Sequence, residues 1–180
     1  MQNRGVRVSA RADYALRAAA ELATAGSEER VKRETLATRQ DIPLEFLESV
    51  LLDLKHAGIV QSHRGASGGF HLARSAAEIS LADVIRAVDG PMADVRGDRP
   101  ETIEYRGAAR HLRLIWIALR ASLREILEGT SLQDLVDGEL SPEVRRLTEA
   151  PDAWVSLGRV RGPTPFGTAA PRRRNAARRS

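Results

Sequence analysis

The chain has 180 residues, with 28 Lys+Arg against 24 Asp+Glu and no cysteine. That length accommodates one domain, or one small domain with an appendage, and a core of modest size. The missing thiols exclude disulfides, thiolate zinc sites and cysteine-held iron–sulfur clusters, and only 4% aromatic residues argue against a platform that stacks single-stranded bases.

Charge is unevenly placed. Residues 1–74 hold 11 basic and 9 acidic side chains, and residues 75–150 hold 10 and 14. Residues 151–180 hold seven arginines against Asp152 alone. The high isoelectric point therefore belongs to the tail rather than to the body. That tail, with Pro163, Pro165, Pro171, Arg172–Arg174, Arg178 and Arg179, has no periodic apolar face, and disorder is expected there. It either raises non-specific affinity for nucleic acid or is a solvated extension. The longest apolar run, Leu114–Leu119, is far below the roughly 20 residues a membrane span needs. Asp13, Arg17 and Glu21 interrupt the Ala-rich start where a secretory signal requires an apolar stretch. A cytoplasmic location without a membrane partner is expected.

In chain order, Ser9 caps a first predicted helix over residues 9–23, with Ala15, Ala18, Ala19 and Leu22 on one face. A short helix is predicted over 33–39. After Asp41-Ile42-Pro43 comes a strongly amphipathic helix over 44–57, where Leu47, Val50, Leu51 and Leu54 keep the i, i+3, i+4, i+7 rule. Two short strands, 59–63 and 69–73, flank Arg64-Gly65-Ala66-Ser67-Gly68. Three helices followed by a Gly-rich hairpin is the order of a winged helix-turn-helix. Ser80 and Asp83 form a capping-box pair ahead of a helix over 81–88, and Asp89-Gly90-Pro91 ends it. Residues 92–106 read as a charged loop with little apolar content. A long helix over 108–128 then carries two apolar stripes. Leu112, Ile115, Trp116, Leu119, Leu123, Ile126 and Leu127 form one, and Leu114, Ile117, Ala118 and Ala121 the other. A helix apolar on two sides is usually buried on two sides, one of which can face a second copy. Thr130 or Ser131 caps a last short helix ending at Gly138.

Four segments in this order resemble the IscR/NsrR/CymR, or Rrf-type, family of bacterial winged-helix repressors. They are Ser9–Ala18 (SARADYALRA), Ile42–Glu48 (IPLEFLE), Arg64–Ala73 (RGASGGFHLA) and Ile79–Gly90 (ISLADVIRAVDG). The resemblance covers about residues 6–140. It implies a mostly α winged helix-turn-helix that forms a homodimer through the long C-terminal helix. The helix at 44–57 is then expected in the major groove of double-stranded DNA and the wing in the minor groove. Sensors of this family hold an iron–sulfur cluster with three cysteines in the segment matching 92–106. None is present here, so the chain resembles the cysteine-free branch, and no cofactor is expected.

The domain plan that follows is a DNA-binding domain over 1–90, a charged loop over 91–107 at the family's sensor position, a dimerisation helix and a short helix over 108–140, and a linker with an Arg-rich tail over 141–180. The expected DNA-binding residues are Ser9, Arg11, Tyr14, Glu45, Glu48, Ser49, His63, Arg64 and Gly65. Narrow minor grooves attract arginine, which suits Arg64 at the wing tip, and Gly65 permits positive φ; the plain reading is a solvated arginine in an ordinary hairpin loop. A carboxylate can accept from cytosine N4, and the glutamate matching Glu48 is associated in the family with sequence discrimination. Glu45 reads equally well as solvated surface. Phosphate affinity is expected from Arg7, Arg11, Arg17, Lys32, Arg33 and the wing. Tyr14 can reach a phosphate or sit at the core edge. Leu112, Ile115, Trp116, Leu119 and Leu123 are expected at the dimer interface. His63 and His71 lie on paired strands, but no third metal ligand is evident and a surface role is favoured. Glu101 and Glu104 read as solvated carboxylates. No catalytic constellation is apparent, so no enzyme is expected. The signal is expected to be a metabolite, anionic if Arg96, Arg99 and Arg106 hold it, or a partner protein. The competing reading is a dimeric protein-interaction adaptor that has lost specific DNA binding, which the acidic helix at 44–57 keeps open.

Overall fold

The computed structural model describes residues 8–26, 29–65 and 67–155; Arg7, Ala66 and the arginines of the tail lie outside them. Helix α1 spans Ala10–Ala25, capped by Ser9, whose side chain accepts from the Ala12 N–H. Its buried face is Ala12, Ala15, Ala18, Ala19 and Leu22. Alanines on that face let neighbouring helices approach closely, so α1 becomes the post around which the domain packs. Helix α2 (Arg33–Gln40) ends at Asp41, which adopts left-handed φ of 49° and turns the chain into Pro43 and helix α3 (Leu44–His56). Glu21 of α1 receives hydrogen bonds from Arg39 at 2.9 Å and Gln40 at 2.7 Å of α2. Burial pushes that carboxyl up, yet the two donors hold it below its ordinary range.

Leu47, Val50, Leu51 and Leu54 of α3 are all buried, as their spacing predicts. Strands β1 (Val60–His63) and β2 (Gly69–Leu72) pair antiparallel, Val60 opposite Leu72 and His63 opposite Gly69. Val31, ahead of α2, bridges to Phe70 through backbone hydrogen bonds of 2.9 and 2.8 Å. The bridge needs glycine beside it: a Cβ on Gly69 would lie 2.8 Å from the Val31 carbonyl oxygen. Helix α4 (Leu81–Asp89) carries the expected reciprocal capping box between Ser80 and Asp83. Buried residues of α1, α2, α3, the hairpin and α4 form one core, closed by Leu132.

The segment at 92–106 differs from a freely solvated loop. It contains a 3₁₀ turn at Pro100–Thr102 and buries Pro100 and Ile103. Glu101 is not simply solvated either, because Arg120 pairs with it at 2.6 Å. Helix α5 runs Leu112–Glu128, four residues later than its apolar pattern suggests. A 3₁₀ turn at Gly107–Ala109 takes the place of the first turn, with Gly107 at φ of 59°. No residue of α5 is fully buried in the single chain. Helix α6 (Leu132–Asp137) is capped by Ser131 and Asp134. Its start is tied to α4: the Leu81 N–H donates to the Thr130 carbonyl and the Leu132 N–H to the Ile79 carbonyl, each at 2.9 Å. A further helix, α7 (Pro142–Thr148), capped by Ser141, occupies a stretch read above as linker. Among the described residues no helix is long and apolar enough to cross a membrane.

Candidate nucleic-acid interface

Three of the expected residues, Glu45, Glu48 and Ser49, stand on the outward side of α3. Because the Leu47–Leu54 stripe is buried, Glu45, Phe46, Glu48 and Ser49 point away from the core and are exposed. Neighbouring helices supply cations to this surface. Arg11 of α1 pairs with Asp53, and Arg33 at the start of α2 pairs with both Glu48 and, at 2.7 Å, Glu34. Contact with Glu34 and then the charge of Glu48 raise the Arg33 guanidinium further above its ordinary range. The same contact holds the Glu34 carboxyl below its own. Two of the α3 carboxylates are therefore partly neutralised from outside. Such exposed pairs contribute little stability, because water screens them, but they set where the carboxylates point.

Tyr14 is half-buried at the edge of this surface. Its ring centre lies 6.1 Å from that of Phe46, tilted by 48°, and the Arg17 guanidinium stands 5.1 Å above it. Phe46 is the residue that pattern reading passed over. It is 53% exposed, off the inward stripe, and Leu44 and Leu52 of the same helix are exposed too. The available signal was its place off that stripe: a phenylalanine among glutamates has no core to fill. An exposed ring there can meet a thymine methyl.

Ser9 is differently employed. Its oxygen accepts from the Ala12 N–H at 2.9 Å, and its single proton goes to Asp89 at 2.6 Å. The hydroxyl thus joins the start of α1 to the end of α4. Ser9→Ala is expected to lower unfolding stability by about 1 kcal/mol, as loss of a cap does, read as a drop in the urea midpoint.

On the wing, His63 and Arg64 are exposed, and Gly65 adopts φ of 105°, a conformation that favours glycine. Gly68 closes the turn by donating to the Gly65 carbonyl at 2.9 Å; a Cβ there would lie 2.4 Å from the His63 carbonyl oxygen. Arg64 makes no ion pair among the described residues.

A profile described as Rrf2, iron-dependent transcriptional regulator, matches residues 8–138. The chain belongs to the Rrf2 family. Rv1287 of Mycobacterium tuberculosis strain H37Rv, an HTH-type transcriptional regulator by its name, is 46% identical over 144 residues, which are 80% of this chain and 89% of the relative. CymR of Bacillus subtilis is 32% identical over 137 residues, 74% and 94% of the two chains. The solved structure of CymR, described as the global cysteine regulator of B. subtilis, superposes with a TM-score of 0.64 at 30% identity, covering 74% of this chain and 98% of that one. T. potens IscR follows at 0.61 and 28%, covering 75% and 89%. The Rrf2 chain described here is thus a DNA-binding transcriptional regulator with the winged-helix fold, in a family of regulators rather than enzymes.

The iron in the family description has no fitting donor set here. A cluster held by thiolates needs cysteines, and the chain has none. The nitrogen and oxygen ligands that remain do not converge: among the described residues no three His, Asp or Glu side chains come together in a way that could hold a metal ion.

Proposed function

We propose that this Rrf2 chain is a homodimeric, sequence-specific repressor. The observation that carries this reading is the surface around α3, where an exposed phenylalanine and carboxylates held by Arg11 and Arg33 stand on a helix whose other side is core. In this reading α3 enters the major groove, with Glu48 and Phe46 facing bases. Glu45 and Ser49 flank them, Arg11 and Tyr14 meet the backbone, and His63, Arg64 and Gly65 carry the wing to the adjacent minor groove. Two-fold pairing places half-sites about one helical turn apart, roughly 34 Å.

Pairing is through α5. Leu114 and Ile115 are 58% and 60% exposed in the single chain, and Leu112, Trp116, Leu119 and Leu123 are only partly covered. A stripe of that kind fits a second copy of itself. The regulatory signal, a metabolite or a partner protein, is assigned to the side of α5 facing the loop after α4. There a cavity of about 540 Å³ is lined by Ile85, Met92, Arg96 and Leu127 and shares Trp116, Leu119 and Leu123 with the pairing stripe, so a signal held there acts on the seam between the two copies.

The test is selection of duplexes from a randomised pool with purified protein, followed by gel shift at two salt concentrations. A pseudo-palindromic preference that survives added salt is expected. Absence of any preference leaves the adaptor reading. In the same selection Glu48→Ala is expected to broaden base choice at one position per half-site while total affinity falls by less than about 1 kcal/mol, since a lost discriminating contact mostly relaxes specificity.

A further inference from the structure

The hairpin carries a pair of imidazoles that the DNA-binding reading does not fully use. Gln61 stands opposite His71 and Gly69 opposite His63, so the two histidines are diagonal neighbours on one side of the hairpin. Their ring centres are 5.0 Å apart and their planes lie within 27° of each other. His71 Nδ1 is buried with no hydrogen-bond partner among the described residues. A buried polar nitrogen without a partner is unusual and calls for a reason.

The charged groups acting on His71 are His63 and Arg30. Arg30 lies beside the Val31–Phe70 bridge, on the flank of β2. Along β1, a groove of about 520 Å³ is lined by Lys55, Gln61, Ser62, His63 and Arg74, with no carboxylate among its lining residues. Burial, then the neighbouring His63, then Arg30 all push His71 below its ordinary value near 6.5. The free protein therefore keeps this imidazole neutral near pH 7. Two more cations bound to the same ring pair, such as metal ions, would meet the same repulsion.

An anion opposes the repulsion from His63 and Arg30 and supplies the ring with a partner that burial denies it. A negative charge within about 4–6 Å favours the protonated imidazole. Binding of the anion and uptake of the proton then strengthen one another by the same factor. The neighbouring Arg64 is already assigned to the duplex, which makes a backbone phosphodiester the anion within reach. We propose that the histidine side of the hairpin is a phosphate-binding site for duplex DNA whose closing puts a proton on His71. The assignment rests on the DNA-binding reading and adds a proton to it. The sign is fixed: the complex holds more protons than the free chain, so affinity rises as pH falls.

The experiment is a fluorescence-anisotropy titration of the full chain with its selected duplex, from about pH 8 to pH 6 at constant ionic strength. Uptake of one proton makes affinity rise by up to about tenfold per pH unit across the window between the free and bound titration midpoints. In the H71Q variant the duplex still binds near pH 8, but that part of the slope disappears. Proton NMR of the wild-type imidazoles, with His56 and His111 as references, is expected to show the His71 midpoint rising on addition of duplex. An unchanged slope in the variant overturns the proposal. So does an equal NMR shift with inorganic phosphate alone, which would mean an anion site indifferent to DNA. A selected duplex that binds with no pH dependence overturns it while leaving the DNA-binding reading intact; no preference for any duplex at any pH overturns both.

Discussion

An Ile115→Asp chain is expected to sediment as a single copy and to lose preferential operator binding by about a hundredfold or more. The residue is 60% exposed in the single chain, so the aspartate adds no buried charge to the isolated fold. Compared at a dilution where the parent is also a single copy, its unfolding free energy should stay within about 0.5 kcal/mol of the parent, as surface substitutions usually do. In a pair joined through α5 the same aspartate appears twice within an apolar seam, and an unpaired buried charge costs several kcal/mol. Loss of pairing separates two half-site contacts that otherwise act together, and such linkage commonly contributes 10²–10⁴-fold, order of magnitude, to binding. Analytical ultracentrifugation together with gel shift reads both effects. A variant that still sediments as a dimer would move the interface away from this stripe of α5.

Arg64→Ala is expected to weaken operator binding by about 1–3 kcal/mol, the range of a good groove contact, without changing stability. Arg64 has no ion pair to lose within the described chain, so the whole change belongs to the complex. Its character separates two roles. A minor-groove arginine reads narrow A·T-rich width, so its removal flattens preference in the base pairs the wing covers. A phosphate contact instead lowers affinity alike for all sequences and reduces the salt slope by about one. Unchanged operator affinity would remove the wing from recognition.

The body of the fold was open to sequence reading because its signals are local. The stripe of leucines on α3, the Ser9 and Ser80 caps and the glycines of the wing each determine their own few residues, and the structure places those elements within one or two positions of their expected ends. What pattern reading missed depends on distant contacts or on short elements. The Arg11–Asp53 and Arg33–Glu48 pairs join residues from different helices, and no spacing rule connects them. Ile103 looked like one apolar residue in a charged loop and is in fact buried. Helix α7 opens with Ser141-Pro142-Glu143, a sound capping signal. It was overlooked because seven residues are too few to show a period above the Pro- and Arg-rich stretch beyond it. The late start of α5 has a related cause: apolar spacing extends back to Ala108, but Gly107 and the turn after it decide where the backbone begins to coil.

The hydrogen bonds from Leu81 to Thr130 and from Leu132 to Ile79 give α5 a particular mechanical character. They clasp the chain just beyond its C-terminal end to the entrance of α4, with Leu132 fully inside the core. Farther back along the helix, at its midpoint, Arg120 grips Glu101, and one turn before it Trp116 donates to the Tyr105 hydroxyl at 3.1 Å. The helix is thus an arm held to the body at its middle and just past its C-terminal end rather than a flexible tether. Any rotation imposed on that arm turns the whole body with it, and a small change in crossing angle at the arm becomes a larger displacement at the distant tip of the hairpin.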